Sequence, residues 1–479
     1  MGGKKILVLG ATGYIGGRLV PRLVDAGYPV RCMVRDPRKM EGRPWKNVEV
    51  VEGDVLDRSS LRRASDGCSI VYYLIRAMGR GEELPDGEDR VGARNMCEVA
   101  ADVGMDRIIY LGGVGRGTPG LSPILRGRRE VGEVLASGSV PVTELRAAMV
   151  VGSGSASFDM MHALVNRLPI LLLPKWASTR QQPISTRDVL YYLVASLGVQ
   201  ESKGAVIDIG GSDILSTKEM MDRFARILEL KRLMFVLPVH LPRLSAFWVN
   251  LVTPIPASVA RRIVESLRSE MVCSKQDVQS LFEHQPRGFD EAVTHALKRV
   301  RDLDIETTWS NATHTTFEDV DLEEQAQLLS NTQRIEMSGP AERVYNVFVS
   351  IGGANGWYYA NILWRIRGFL DKVVGGVGLR RGRRHPFELV PGDALDFWRV
   401  ESVEQGKKVT LRAEMKVPGR AWLEFSVEPL GVQRSLFTQT ALFYPRGVWG
   451  LLYWYGIYPV HILVFRGMAR AIARNAEKG

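Results

Sequence analysis

A glycine triplet directly after a short apolar run constrains the fold of this chain more than any other feature. Gly10, Gly13 and Gly16 follow the strand-like run Ile6–Leu9 and open a segment with helical periodicity. Glycine at these spacings permits a tight turn, lets backbone amides approach a pyrophosphate, and lets the helix pack against the strand. A glycine triplet alone is weak evidence, but its place at a strand–turn–helix junction favours a dinucleotide site over a purely structural turn.

The residues after the second and third apolar runs indicate which dinucleotide would bind. Arg35 follows Val30–Val34, and an arginine there accommodates the 2′-phosphate of NADP(H), whereas the alternative ligand Asp36 would hold the ribose hydroxyls of NAD(H). We predict NADP(H), with NAD(H) as the second choice. Asp54 is predicted to reach the adenine or, alternatively, to serve as a turn or helix N-cap carboxylate. The predicted cofactor-binding residues are Gly10, Thr12, Gly13, Tyr14, Ile15, Gly16, Arg35, Asp54 and Val55.

Short apolar runs alternate with helical patterns through the first two-thirds of the chain. The runs are continuous rather than alternating, which is typical of strands covered on both faces. This order predicts an α/β fold with a Rossmann-type doubly wound parallel sheet. The predicted strands are Ile6–Leu9, Val30–Val34, Val48–Glu52, Ile70–Leu74, Ile108–Leu111, Val142–Leu145 and Ala205–Ile209, and the predicted helices include Tyr14–Ala26, Ser59–Ser65, Asp89–Val103 and Arg128–Ala136.

The composition changes towards the end of the chain. Residues 331–479 hold 21 Lys and Arg against 12 Asp and Glu, whereas residues 1–330 hold 42 against 41, and six of the ten tryptophans lie in the last 149 residues. Because the two parts of the chain differ in composition, we predict two domains. A Rossmann domain covers 1–305 and an α+β domain covers 331–479, with a linker over 306–330 between them. Alternating patterns predict antiparallel strands in the second domain, and Tyr453–Ala473 is predicted as a long closing helix.

The spacing of the cysteines indicates whether the chain holds a metal site or disulfides, and in which cellular compartment it works. Cys32, Cys68, Cys97 and Cys273 are scattered without CxxC spacing, so we expect no metal site and no disulfide framework. The first strand begins close to the N-terminus and leaves no room for a signal peptide. These features predict a cytoplasmic protein.

The motifs together resemble the atypical, NmrA-like branch of the short-chain dehydrogenase/reductase superfamily. The last part resembles a domain of uncharacterised function that follows such Rossmann halves in bacteria, and it is similar to the helix-grip folds of polyketide cyclases and lipid-transfer (START-like) proteins. The matching segments are Gly10–Gly16, Val34–Asp36, Gly53–Val55, Ile108–Gly113, Thr143–Arg146 and Gln182–Asp188, followed in the last part by Gly356–Tyr358, Leu363–Arg365, Gly375–Gly378, Asp396–Val400 and Glu414–Gly419.

The chain departs from the superfamily at its proton-transfer residues. The resemblance implies a Tyr-x-x-x-Lys pair, but Arg128 occupies the lysine position and Ile124 the tyrosine position. Gly112 and Gly113 stand where a serine usually follows the fifth strand. An arginine does not deprotonate near neutral pH, although its charge can orient a ribose or a substrate oxygen. The candidate catalytic residues are Arg128, Arg146 and Tyr73, against the alternatives of solvated helix charges for Arg128 and core packing for Tyr73.

An uncharged, aromatic run and a basic cluster mark the C-terminal part. Gly447–Phe465 carries no formal charge. Such a segment is a core or cavity-covering element, a peripheral membrane contact or a membrane span. Arg380–Arg384 is either a solvated loop or a site for anionic headgroups. We expect peripheral contact with the inner face of an anionic membrane as a secondary property. Nucleic-acid binding is disfavoured, because no recognition module accompanies the charge.

These features predict an NADP(H)-dependent oxidoreductase acting on an apolar lipid-, quinone- or carbonyl-like small molecule. The alternatives are a catalytically silent NADP(H) sensor and a lipid-handling protein with a structural Rossmann half. We expect the C-terminal domain to dock over the nucleotide crevice and to supply the substrate cavity. Its candidate lining residues are Trp357, Trp364 and Trp398, with core packing as the alternative for each.

Overall fold

The chain forms two compact units. The computed structural model describes residues 4–40, 43, 45–75, 86–115, 121–237, 257–274, 278–302, 306–307, 329–379, 383–445 and 447–478. One unit comprises Met1–Pro37 with Pro44–His314, and the other comprises Arg38–Arg43 with Thr315–Gly479. The division after His314 falls inside the predicted linker. The proline-rich stretch with Pro238, Pro242, Pro254 and Pro256, whose composition predicts a loop, lies outside the described residues.

The first unit is built on a parallel sheet. Its strands in chain order are β1 Ile6–Leu9, β2 Val30–Val34, β3 Val48–Glu52, β4 Ile70–Tyr73, β5 Arg107–Gly113, β6 Val142–Ala147, β7 Val150–Val151, β8 Ile170–Pro174, β9 Arg180–Gln181, β10 Ile184–Ser185, β11 Val206–Ile209, β12 Leu215–Ser216 and β13 Leu233–Leu237. Seven of them pair in the order β11-β6-β5-β4-β1-β2-β3, with every pairing parallel. The predicted parallel sheet is confirmed, and its strand order reverses between β1 and β4. A ligand crevice opens at such a reversal, beyond the carboxyl ends of the strands.

Helices follow the strands as crossovers. In this unit they are α1 Gly16–Asp25, α2 Arg58–Ser65, α3 Asp86–Asp102, α4 Pro123–Ala136, α5 Ala156–Arg167, α6 Thr186–Ala195, α7 Thr217–Ile227, α8 Ala257–Leu267, α9 Val278–Phe282 and α10 Phe289–Arg301. The start of α4 precedes its predicted position at Arg128. Ser122 accepts a hydrogen bond from the Leu125 amide at 3.3 Å, and Pro123 occupies the first turn, so the helix begins at a capped serine.

The second unit contains an antiparallel sheet and a long helix. Its strands are β14 Leu329–Ser338, β15 Ala394–Leu395, β16 Trp398–Glu404, β17 Lys408–Ala413, β18 Gly419–Gly431 and β19 Arg434–Pro445, and its helices are α11 Ala341–Val349, α12 Asn361–Val373 and α13 Gly447–Lys478. The strand order is β14-β19-β18-β17-β16-β15, antiparallel throughout. Helix α13 packs on β14 and β19. The closing helix was predicted from Tyr453, whereas it starts at Gly447; α11 and α12 were not predicted.

The three tryptophans proposed to line a cavity are buried in the core of this unit. The Trp357 ring lies 5.0 Å from that of Trp364 and 6.2 Å from that of Trp398, and Phe397 packs beside all three. Their exposed fractions are 1%, 9% and 4%, respectively. The structure therefore places all three rings in the core of this unit.

The described part of the basic cluster is also used internally. Arg383 donates hydrogen bonds to the carbonyls of Val349, Ile351 and His385, and its burial lowers its pKa to about 10. The Arg384 guanidinium lies 3.1 Å from the buried Asp393 carboxylate. These two arginines hold loops together, while the first three positions of the cluster lie outside the described residues.

Candidate functional site

The glycine loop after β1 closes so tightly that two of its positions admit no side chain. Gly10 has φ +92°, and a Cβ there would lie 2.8 Å from the Leu74 carbonyl oxygen. The Gly13 amide donates to the Gly10 carbonyl at 3.0 Å, and a Cβ at Gly16 would lie 2.2 Å from the same oxygen. Helix α1 starts at Gly16, and no side chain caps its N-terminal amides. This cradle fits the diphosphate of a dinucleotide, and Thr12 and Ile15 lie within it half-buried.

A buried polar cluster holds the loop to the rest of the first unit. The Tyr14 hydroxyl lies 2.9 Å from Thr186 Oγ1 and donates to the Ser153 carbonyl at 3.1 Å. Arg18 donates to the same carbonyl at 2.7 Å and to Thr307 Oγ1 at 2.8 Å. The Thr307 hydroxyl donates in turn to the Tyr14 carbonyl at 2.9 Å. The hydroxyl of Tyr14 is thus engaged within the protein, and Tyr14 offers a cofactor its backbone rather than its phenol.

Burial sets the charge state of this cluster. Desolvation raises the pKa of Tyr14, although the nearby Arg18 charge opposes the shift, so the phenol stays neutral at physiological pH. Sequence reasoning identified Tyr14 but missed Arg18 and Thr307. Thr307 falls in the predicted linker, yet it and Glu306 are bound to α1, with Glu306 paired to Arg22 at 3.0 Å.

The ends of β2 and β3 present the residues predicted to choose the cofactor. Arg35 is exposed, whereas Asp36 is only 6% exposed. The Asp54 carboxylate accepts a hydrogen bond from the Leu56 amide at 3.0 Å. The Asp54 amide donates to the Ser60 hydroxyl, which donates in turn to the Asp54 carbonyl. The bond to the Leu56 amide corresponds to the turn role, which was the alternative to binding adenine. Val55 is buried against α3.

Arg128 reaches the carboxyl end of β5. A Cβ at Gly113 would lie 3.1 Å from both Cδ and Nη1 of Arg128, so the side chain lies directly over that glycine. Tyr110 anchors the helix beneath it by donating to the Arg128 carbonyl at 2.9 Å. Within the described parts of the chain, no carboxylate pairs with this half-buried guanidinium. Its positive charge faces the crevice edge uncompensated.

Arg146, in contrast, forms an ion pair with Glu144 on its own strand. Its Nε and Nη2 donate to the two Glu144 oxygens at 2.9 and 3.1 Å. Burial alone would lower the pKa of Arg146, but the hydrogen bonds and charge of Glu144 outweigh it and raise the pKa. Sequence reasoning did not assign Glu144 a role.

The Glu144 carboxylate fills the space beside two glycines. Glu144 is only 4% exposed. A Cβ at Gly112 would lie 2.7 Å from Glu144 Oε1, and one at Gly132 would lie 2.8 Å from the same atom. Glycine at both positions therefore leaves room for the carboxylate.

The Tyr73 side chain packs in the core against one face of the sheet and not in the crevice. It is 1% exposed, its ring lies 6.2 Å from that of Tyr110, and its burial raises its pKa well above the usual value. This placement corresponds to core packing, the alternative to a catalytic role. The structure brings the candidates Arg128 and Arg146 together at the carboxyl end of β5: Arg128 reaches Gly113 from α4, and Arg146 reaches the adjacent Gly112 from β6.

Comparison with known proteins assigns the two units. Residues 10–150 match a family model described as NAD(P)H-binding, and residues 326–468 match one described as a protein of unknown function, DUF2867. The first unit therefore has a Rossmann fold, and its residues 10–150 are similar to NAD(P)H-binding domains. Across the described helices none is long and apolar enough to cross a membrane, and no cluster of three or more metal-ligating side chains is present in the same residues.

Two curated proteins to which this unit is similar are named as reductases. A Streptomyces griseus protein named (4-alkanoyl-5-oxo-2,5-dihydrofuran-3-yl)methyl phosphate reductase is 26% identical over 303 residues, covering 61% of this chain and 98% of that protein. Cinnamoyl-CoA reductase 1 of Oryza sativa is 33% identical over 119 residues, covering 23% of this chain and 34% of the reductase. The chain thus spans about a third of the plant enzyme that it matches.

Solved structures show the same fold at low identity. A nucleoside-diphosphate-sugar epimerase from Staphylococcus aureus superposes with a TM-score of 0.50 at 17% identity, covering 60% of this chain and 99% of the epimerase. An epimerase from Methanothermobacter thermautotrophicus gives 0.50 at 17%, covering 64% and 94%. These likenesses establish the Rossmann architecture of the first unit.

Proposed function

We propose that this protein is an NADP(H)-dependent reductase of an apolar small molecule that carries a carbonyl or quinone oxygen. The observation that carries the proposal is the guanidinium of Arg128, which lies over Gly113 at the crevice edge with no carboxylate partner in the described residues. A fixed positive charge there stabilises negative charge that develops on a substrate oxygen. The Streptomyces griseus relative, named as a reductase of an alkanoyl-bearing compound, supports the reaction class.

The choice of NADP(H) rests on the residues after β2. Arg35 is exposed at the end of the strand, where a cation meets a 2′-phosphate. Asp36, the residue that would favour NAD(H), is almost fully buried. This exposure difference favours the phosphorylated dinucleotide.

Different residues of the chain bind the cofactor and stabilise the substrate oxygen during reduction. The cradle Gly10–Gly16 and the N-terminus of α1 hold the diphosphate, and the cofactor when bound supplies a hydride to the carbonyl carbon. Arg128 holds the oxygen and offsets its developing charge, with Arg146 stiffened beside it by Glu144. Since a guanidinium does not release a proton near neutral pH, water supplies the proton that completes the alcohol or hydroquinone.

For the second unit we propose a helix-grip fold that receives the apolar part of the substrate. The support is a pair of buried donors: Trp364 Nε1 and Trp398 Nε1 have no acceptor among the described residues, whereas Trp357 Nε1 donates to Asp396 at 2.8 Å. A buried donor without an acceptor is costly, and a ligand oxygen would satisfy it.

The test compares two neighbouring arginines of α4 in the full-length protein. Oxidation of NADPH is followed with alkyl quinones, aliphatic aldehydes and ketones as acceptors. Arg128→Gln should lower kcat by about a hundredfold, since one charge-stabilising contact is removed, while NADPH affinity stays within twofold. Arg129→Gln, the matched control, should leave kcat unchanged. Equal rates for both variants would overturn the assignment of Arg128.

A redox sensor without turnover is the second candidate. It is favoured by the departures at three positions of the proton-transfer machinery, where Gly112, Ile124 and Arg128 replace serine, tyrosine and lysine. Tight NADPH binding with no oxidation by any acceptor in the panel would support the sensor and reject the reductase.

A further inference from the structure

The second unit exposes an apolar face on α12. Six large side chains lie at helical spacing along its outer side, from 41% to 71% exposed, while Trp364, Gly368 and Asp371 face inward. Monomeric proteins rarely leave such a stripe on one helix facing water. The outward residues are Ile362, Leu363, Ile366, Phe369, Leu370 and Val373.

The first half of α13 adds a second exposed apolar set next to α12. Trp449 is 78% exposed, and Leu452, Tyr455 and Leu463 are 58% to 64% exposed. The two helices are neighbours, because the Trp364 ring lies 6.3 Å from the Phe465 ring and Arg367 approaches the Tyr453 hydroxyl at 3.5 Å. Together they form the α12–α13 face, defined by the exposed side chains of both helices.

The charge on this face is predominantly positive. Arg365 on α12 and Arg466, Arg470 and Arg474 on α13 are exposed, with no carboxylate partner in the described residues. The acidic residue of α12, Asp371, is fully buried and accepts hydrogen bonds from the Gly378 and Lys416 amides at 2.9 and 2.7 Å. Among the described side chains of the two helices, four arginines are exposed against one carboxylate, Glu477 near the end of α13.

We propose that the α12–α13 face docks this protein on an anionic lipid membrane, with its apolar side chains in the headgroup region and its arginines at the phosphates. Apolar residues with tryptophan and tyrosine, combined with arginines, are the composition that binds at a bilayer interface. A second copy of the chain is a poorer occupant, since an isologous interface would bring the same uncompensated arginines together. The arginines therefore select a negatively charged surface.

The experiment uses full-length protein and sedimentation with vesicles. Phosphatidylcholine vesicles containing phosphatidylglycerol should bind the protein at low salt and release it at high salt, and pure phosphatidylcholine should bind it less. The double variant Ile366→Asp with Phe369→Asp should lose about tenfold or more in partitioning, because two anchors become anions. Val432→Asp, at an exposed site in the turn between β18 and β19, is the matched control and should bind normally.

A second pair of variants tests the charge independently of the apolar anchors. Arg466→Gln with Arg470→Gln should weaken binding to the anionic vesicles several-fold, whereas Arg434→Gln, an exposed arginine outside both helices, should not. A circular dichroism spectrum and thermal unfolding transitions equal to wild type in every variant show that the second unit is folded. The proposal is overturned if anionic vesicles bind no protein, if the aspartate pair binds as wild type, or if that pair converts a dimer to a monomer without any vesicle binding.

Discussion

The guanidinium of Arg18 lies 4.6 Å from the centroid of the Tyr14 ring, stacked on the residue that forms the middle of the glycine loop. Arg18 is 3% exposed, and its hydrogen bonds reach Ser153 and Thr307, far away in the sequence. The shape of the cradle thus depends on contacts with the end of the first unit as well as on its own glycines.

Replacing Arg18 should therefore destabilise the first unit. Arg18→Met keeps the hydrocarbon but removes the hydrogen bonds that Arg18 donates to the Ser153 carbonyl and to the hydroxyl and carbonyl of Thr307, which should cost about 2–4 kcal/mol in the free energy of unfolding. Urea denaturation measures this loss. Arg62→Met, which removes an exposed pair with Asp102, should change stability by less than about 1 kcal/mol. Equal losses would mean that the buried network adds nothing.

Cofactor preference should change with Arg35. Arg35→Ala should weaken NADPH binding by about tenfold to a hundredfold, because a charge-assisted contact with the 2′-phosphate is lost, and should leave NADH binding within twofold. Fluorescence titration of both cofactors measures the two affinities. Arg63→Ala on α2 is the control. A parallel loss for NADPH and NADH would show that Arg35 does not discriminate between them.

Two glycines should respond in opposite ways to alanine. Gly16→Ala places a Cβ 2.2 Å from the Gly10 carbonyl oxygen, so it should abolish dinucleotide binding and cost about 2 kcal/mol or more of stability. Gly127→Ala, inside α4 with open space around it, should instead add up to about 1 kcal/mol. Thermal denaturation with and without NADPH distinguishes the two; tight NADPH binding by Gly16→Ala would contradict the cradle.

Acid should weaken the attachment of Glu306. Burial would raise the pKa of this carboxyl, but hydrogen bonds from Arg22 and Arg299 outweigh it and lower the pKa to about 2. A lowered folded pKa contributes stability above the unfolded value of 4.5, and the contribution is lost as the pH falls from about 5 to 2. The contribution is at most about 3 kcal/mol. Glu306→Gln should flatten that part of the stability–pH curve; a slope equal to wild type would refute the coupling.

Local signals were enough to predict the Rossmann sheet. The strand runs of β1, β2 and β3 are followed by Gly10, Arg35 and Gly53, and the observed bounds equal the predicted ones. Long-range contacts were not predictable. Nothing near Arg18 indicates that its partner is Thr307, and the room that Gly112 leaves for Glu144 depends on β5 lying beside β6.

Helix α12 was missed for a different reason. Amphipathic periodicity is recognised when one face is apolar and the other polar. Here Trp364 faces inward while Ile366 and Phe369 face outward, so apolar residues occur on both sides and the period disappears. The exposed apolar residues that obscured the helix in the sequence are the ones that the membrane proposal uses.

The glycine at 112 couples two positions on neighbouring strands. A Cβ there would lie 2.7 Å from a carboxylate oxygen of Glu144, which Arg146 holds with two hydrogen bonds. A larger residue at 112 therefore fits only together with a shorter residue at 144, and shortening position 144 alone leaves Arg146 without its counter-ion. The effects of substitutions at the two positions on stability are therefore not additive.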